Sequence, residues 1–143
     1  MKTYKPRKDW LIYSLLTIVI LLPLPIFISD AEAVLQRPLI LLALWSPLPL
    51  LLWIFFDTAY AIKEGKLYYR SAFINGNIDI QTIRKVDMNS TMWSGIKPAL
   101  ATKGMIIYFN RFDEIYIAPE NNEAMISDLL EINPEIQVVS KTS

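Results

Sequence analysis

Residues 10–29 read WLIYSLLTIVILLPLPIFIS and residues 39–56 read LILLALWSPLPLLLWIFF, and these two stretches decide the architecture of the 143-residue chain. Neither contains a charged residue, and 30 of their 38 positions are hydrophobic. A helix needs roughly 20 apolar residues to cross a bilayer core of about 30 Å. Core helices of a soluble bundle would carry a polar stripe. Here Ser14 and Thr17 in the first stretch and Ser46 in the second are the only polar interruptions apart from the terminal Ser29. The expectation is two transmembrane helices, 10–29 and 39–56, joined by an external loop at 30–38.

Basic residues set the orientation. Lys2, Lys5, Arg7 and Lys8 precede the first span, and Lys63, Lys66 and Arg70 follow the second. The loop carries Arg37 alone, beside Asp30 and Glu32. The positive-inside rule then places the basic N-terminus (1–9) and everything after residue 56 in the cytoplasm. Trp10 and Tyr13, with Trp53, Phe55, Phe56 and Tyr60, fall at the inner boundary, where aromatic residues anchor. Ala31-Glu32-Ala33 has the form of a signal-cleavage site, but the run before it exceeds the roughly 7–15 apolar residues of a signal sequence. Each span contains Pro-Leu-Pro, so Pro23, Pro25, Pro47 and Pro49 are candidate helix kinks. Prolines are common in membrane helices; a paired kink shaping a partner-binding face is the sharper reading.

From residue 57 the hydrophobic period changes to two, predicting a domain over 57–139 and a short tail at 140–143. Tyr60 and Ile62, then Leu67 and Tyr69, flank Glu64-Gly65 as a hairpin. Asn75-Gly76-Asn77 has the composition of a second turn. Ile78, Ile80, Ile83 and Val86 continue the extended pattern. Met105 to Phe109, apolar on both faces, predicts a central strand, and Glu114 to Ile117 its neighbour. Met125, Ile126, Leu129 and Leu130 then recur at helical spacing. Pro119 can open that helix, or Asn121 or Asn122 can cap it one turn later. Asn133-Pro134 ends it. The domain is expected to be mainly β, a partly open barrel or sandwich of about six to seven strands with one C-terminal helix.

Residues 60–138 resemble the bacterial PH-like domains, the YyaB-like group often carried behind paired membrane helices. The resemblance rests on Tyr60-Ala61-Ile62-Lys63-Glu64-Gly65-Lys66-Leu67, Ile78-Asp79-Ile80-Gln81-Thr82-Ile83, Pro98-Ala99-Leu100 and Met105-Ile106-Ile107-Tyr108. It extends through Ile117-Ala118-Pro119-Glu120 to Asn133-Pro134-Glu135-Ile136. Two positions depart from the group: Ala101-Thr102 stands where a serine is usual, and Ala118 replaces the serine before the helix-start proline. The resemblance implies a membrane α-hairpin plus a mainly-β PH-like domain, with no established enzymatic chemistry and no cofactor.

The chain has no histidine and no cysteine, which excludes a Ser-His-Asp triad, a thiol nucleophile and an imidazole or thiolate zinc site. Its 14 basic residues balance 14 acidic ones, which argues against nucleic acid as partner. From residue 57 on there are 9 basic and 11 acidic residues, a poor basis for phosphoinositide recognition. Arg84-Lys85 and Lys97 to Lys103 read as solvated faces. Asp113-Glu114 sits at a turn, where acidic residues serve turn chemistry. A hydrolase or transferase would need a deep pocket lined by Asp79, Asp87, Asp113 or Glu114. The remaining candidate is an interaction surface on the loop 90–102, with Met92, Trp93 and Lys97 as its contacts, since Met and aromatic residues are enriched at interface centres. Alternatively, Trp93 folds back to close the barrel end or dips into the headgroup region. The expected function is a membrane-anchored, non-enzymatic binding or scaffolding module in the bacterial inner membrane. It would engage the bilayer and either a protein partner or a second copy of itself. The alternative is an accessory subunit of a membrane transporter or enzyme complex acting through the helix hairpin.

Overall fold

Asp9 starts the first helix. Its Oδ1 accepts from the Leu11 amide at 3.0 Å, capping α1 (Trp10–Leu21). The computed structural model describes residues 2–91 and 99–140. The apolar run continues as α2 (Leu24–Ser29), and the second run forms α4 (Pro38–Trp45) and α5 (Pro47–Asp57). Between them the expected loop folds into α3 (Ala31–Gln36), capped by Asp30 Oδ1 on the Ala33 amide at 3.0 Å. Both runs, Trp10–Ser29 and Pro38–Asp57, are long and apolar enough to cross a membrane, and almost none of either is buried in the protein.

Helical bonding breaks once in each run, just before a proline. Leu22 donates three residues back to Val19 at 3.4 Å, and Ser46 three back to Ala43 at 3.3 Å, because a proline next in line cannot donate and crowds the preceding turn. Pro23 and Pro25 flank the start of α2, and Pro47 and Pro49 lie in the first turn of α5. The runs pack as a hairpin. Trp45 Nε1 donates to the Ile20 carbonyl at 3.2 Å, and the Tyr13 and Phe55 rings meet edge to face at 5.9 Å.

Among the described residues the rest of the chain forms two four-stranded sheets and a helix, the expected mainly-β domain with one C-terminal helix. Short strands at Lys2–Tyr4 and Gln137–Ser140 add to those the alternating pattern predicts. The first sheet is antiparallel in the order β1 (Lys2–Tyr4), β2 (Ala59–Lys63), β3 (Lys66–Ser71), β4 (Ile74–Asp79). A single 3-10 turn, Ile80–Thr82, leads to the second sheet. That sheet runs β7 (Asp113–Ile117), β6 (Gly104–Phe109), β5 (Ile83–Ser90), β8 (Gln137–Ser140), with β8 parallel to β5. Strand β6 is central, which accounts for its apolar character on both faces. Helix α6 (Asn122–Ile132) buries Met125, Ile126 and Leu129 against Tyr60, Leu67, Ile80, Met105 and Ile107. Full burial of each large side chain contributes about 1.5–3 kcal/mol.

Two local expectations resolve differently. Asn75, Gly76 and Asn77 do not turn; they run within β4 opposite Arg70, Tyr69 and Tyr68. The turn is at Ala72-Phe73, with Ala72 at φ 52°. Gly76 serves a close approach instead: a Cβ there would stand 2.6 Å from the Tyr69 hydroxyl and 2.9 Å from its Cζ. At the helix, Asn121 is the cap, its Oδ1 accepting from the Ala124 amide at 3.0 Å, so α6 starts a turn after Pro119.

Candidate functional site

The N-terminal arm, residues 2–9, is built into the domain. Lys2, Thr3 and Tyr4 pair with Ile62, Ala61 and Tyr60, making β1 an edge strand of the first sheet. Beyond it the Glu120 amide donates to the Lys5 carbonyl and the Arg7 amide to the Ala118 carbonyl, each at 2.8 Å, around a Pro6–Pro119 bridge. The Arg7 guanidinium donates to the Lys103 carbonyl at 2.5 Å. Lys2 Nζ lies 2.7 Å from Asp128, and the Tyr4 hydroxyl donates to the same carboxylate. Hydrogen bonds from Lys2 and Tyr4 hold the Asp128 carboxyl below the usual carboxylate range. Burial, reinforced by Asp128, pushes the Tyr4 hydroxyl well above its ordinary value.

The hairpin's other end is tied down as well. Thr58 donates to the Ile54 carbonyl at 2.6 Å and sits 2.8 Å from the Ser71 hydroxyl, joining the end of α5 to β3. Arg70 bridges to Asp57 at 3.1 Å. Lys8 lies 3.9 Å above the Phe55 ring.

These contacts frame a cleft of about 1230 Å³ between the arm, the outer face of the first sheet and the last turn of α5. Strand alternation shapes it. Tyr60, Ile62 and Leu67 face the core, so Ala59, Ala61, Tyr68 and Arg70 face outward. The two alanines leave the floor low. Lys5 and Lys8 border it on the arm, and Phe55 and Phe56 close the end toward the hairpin. Lys5, Arg7, Lys8 and Arg70 line the cleft with Glu120 as the one carboxylate among the lining residues. The domain that follows residue 57 is mildly acidic, so this concentration of positive charge comes mainly from the arm.

Met92, Trp93 and Lys97 lie outside the described residues. The basic pair Arg84-Lys85 is partly neutralised, because Lys85 lies 3.2 Å from Asp87 and over the Tyr108 ring at 5.4 Å. Asp113 accepts from Asn110 Nδ2 at 2.9 Å, a turn role. Neither this cleft nor a smaller one of about 410 Å³ beside Asn89 and Asn121 is lined by Asp79, Asp87, Asp113 or Glu114. Among the described residues no group of three or more acidic side chains is placed to hold a metal. The sequence signal for the cleft lies in Lys5, Lys8 and the pair Phe55-Phe56, which by themselves read as orientation and anchoring residues.

The fold agrees with what the chain is similar to. The family model described as "Bacterial PH domain" matches residues 58–133. The "Uncharacterized protein YyaB" of Bacillus subtilis (strain 168) is 29% identical over 94 residues, 65% of this chain. The chain spans 64% of that relative's length. No solved structure gives a significant match. With more than half of its length matched by the family model, the chain belongs to the bacterial PH domain family.

Proposed function

We propose that the protein is a membrane-anchored, non-enzymatic binding module. Its apolar hairpin would lie in the bacterial cytoplasmic membrane with both termini and the PH-like domain on the cytoplasmic side. The observation that carries this reading is the pairing of β1 with β2. Residues before and after the hairpin share one sheet, so the hairpin must enter and leave through the same face. Lys5, Lys8 and Arg70 gather at that face, as the positive-inside rule requires of a cytoplasmic boundary. Membership of the PH family supports a binding or scaffolding role. The partner is a protein or a second copy of the chain, met by the segment 90–102 with Met92, Trp93 and Lys97.

The natural chain has no cysteine, so single-cysteine variants report topology cleanly. An impermeant maleimide added to intact spheroplasts should label Gln36→Cys and should label Ser140→Cys only after permeabilisation. The reverse pattern refutes the orientation, and labelling of both in intact cells refutes the anchor.

A second reading has the hairpin itself as the binding element of a larger membrane complex. It is favoured by the Trp45–Ile20 bond, which sets the two helix breaks side by side. Exchanging residues 10–57 for an unrelated hairpin separates the two: partner capture that persists belongs to the domain, and capture that disappears belongs to the helices.

A further inference from the structure

We infer that the cleft between the arm, the first sheet and the end of α5 seats the phosphate headgroup of an anionic phospholipid from the leaflet the hairpin enters. The inference rests on the membrane-anchored reading and adds a ligand to it. Three observations converge.

The first is position. Phe55 and Phe56 are the last apolar side chains of the second run and also line the cleft. Phe56 is 76% exposed, so an acyl chain can lie against its ring while the headgroup reaches the sheet. A soluble ligand or a protein partner has no use for that continuity with the hairpin.

The second is charge. Lys5, Lys8 and Arg70 border the cleft, each already fixed near it by backbone pairing, the Phe55 ring or Asp57. Basic groups at a membrane surface attract anionic lipid one by one. Arg7 also lines the cleft, but its guanidinium is taken up by the Lys103 carbonyl and Asn122. The other three cations, spread along a wide cleft, suit a single phosphodiester better than a multiply phosphorylated inositol. Reading the domain alone misses this, because every cation lining the cleft except Arg70 comes from the arm.

The third is shape. The floor is Ala59 and Ala61, too small to fill the space above them, and Asn75 and Asn77 of β4 add side-chain amides along the far edge. Amides there can meet the hydroxyls of a glycerol headgroup, while the cations take the phosphate.

The test uses the full chain. Carbonate washing of membranes from expressing cells comes first: release of the protein overturns the anchor and this inference with it. The purified protein is then placed in nanodiscs of phosphatidylcholine with or without phosphatidylglycerol, and lipid retained after extraction is counted by native mass spectrometry. Selective retention of phosphatidylglycerol is expected, about tenfold weaker in Lys5→Glu/Lys8→Glu. Arg84→Glu/Arg111→Glu, with the same change of charge away from the cleft, should retain it normally. Should the lysine double variant fail to fold, Ala61→Leu fills the floor without altering charge and should also lose the lipid. An anchored protein that retains both lipids equally overturns the headgroup site alone, as does equal loss in the two charge-reversed variants.

Discussion

The Asp9 carboxylate joins the start of the first helix to a segment 93 residues away. Its Oδ2 accepts from both the amide and the hydroxyl of Thr102, at 2.8 and 2.7 Å, while Oδ1 caps Leu11. Asp9→Ala therefore removes a cap worth about 1 kcal/mol and strands the Thr102 amide for about another 1 kcal/mol. Thr102→Val removes only the hydroxyl bond, for about 1 kcal/mol. The double variant should cost clearly less than the sum, because the two residues share an interaction. Denaturant titration of the detergent-solubilised chain measures this, and strict additivity would show that the bond contributes nothing.

Acid should loosen the arm. Burial raises the Asp9 carboxyl, but hydrogen bonds from Thr102 and Leu11 and the charge of Arg7 outweigh it, so the group lies below its ordinary value, as does Asp128. A carboxylate depressed by folding contributes its full stabilisation above its unfolded pKa, near 3.9. The contribution disappears as pH falls through the folded value. The β2 amides paired with β1 should therefore lose exchange protection as pH drops below about 4. In Asp128→Asn that protection should be weaker at neutral pH and flatter toward acid. A wild-type profile as flat as the variant's would remove Asp128 from the account.

Two glycines should respond very differently to alanine. A Cβ at Gly104 would stand 2.3 Å from the Ile117 carbonyl oxygen and 2.9 Å from the Ala118 Cβ, in a strand whose amide donates to the Tyr116 hydroxyl. The obstacle is backbone, so Gly104→Ala should cost about 3 kcal/mol or more. At Gly76 the obstacle is the end of the Tyr69 ring, which can swing aside, and the cost should be about 1 kcal/mol. Thermal unfolding of both variants ranks them, and a tolerated Gly104→Ala would mean that β6 and β7 are packed more loosely than described.

The capping role of Asn121 gives a narrower check. Asn121→Ala should destabilise by about 1 kcal/mol, and Asn121→Ser, which keeps an acceptor oxygen, should restore most of that. Equal effects would move the helix start back toward Pro119.

Periodicity makes the larger elements legible in the sequence. The apolar runs, the β2–β3 hairpin at Glu64-Gly65, strand β6 and helix α6 each repeat a signal over several residues. Glu64 and Gly65 both take positive φ, as a tight hairpin requires. The turn at Ala72-Phe73 was illegible, because an alanine in left-handed conformation has no compositional mark. Asn75-Gly76-Asn77 carried such a mark and used it for Tyr69 instead. Strands β1 and β8 are three and four residues long, too short for a period, and their partners lie far away in the chain. The cleft was hidden for the same reason. Lys5 and Lys8 already had an explanation as orientation signals, and only the sheet pairing brings them beside Tyr68 and Arg70.

The β1–β2 ladder also has a meaning for biogenesis. Residues 2–4 are synthesised before both apolar runs, and their partners at 60–62 emerge only after them. The first sheet therefore cannot be completed until the hairpin is in place. On the membrane-anchored reading, an insertion that strands residues 2–4 on the opposite side leaves β2 with an open row of backbone donors and acceptors. The same three residue pairs that close a correctly inserted molecule would thus expose an incorrect one, giving the chain an internal check on its own topology.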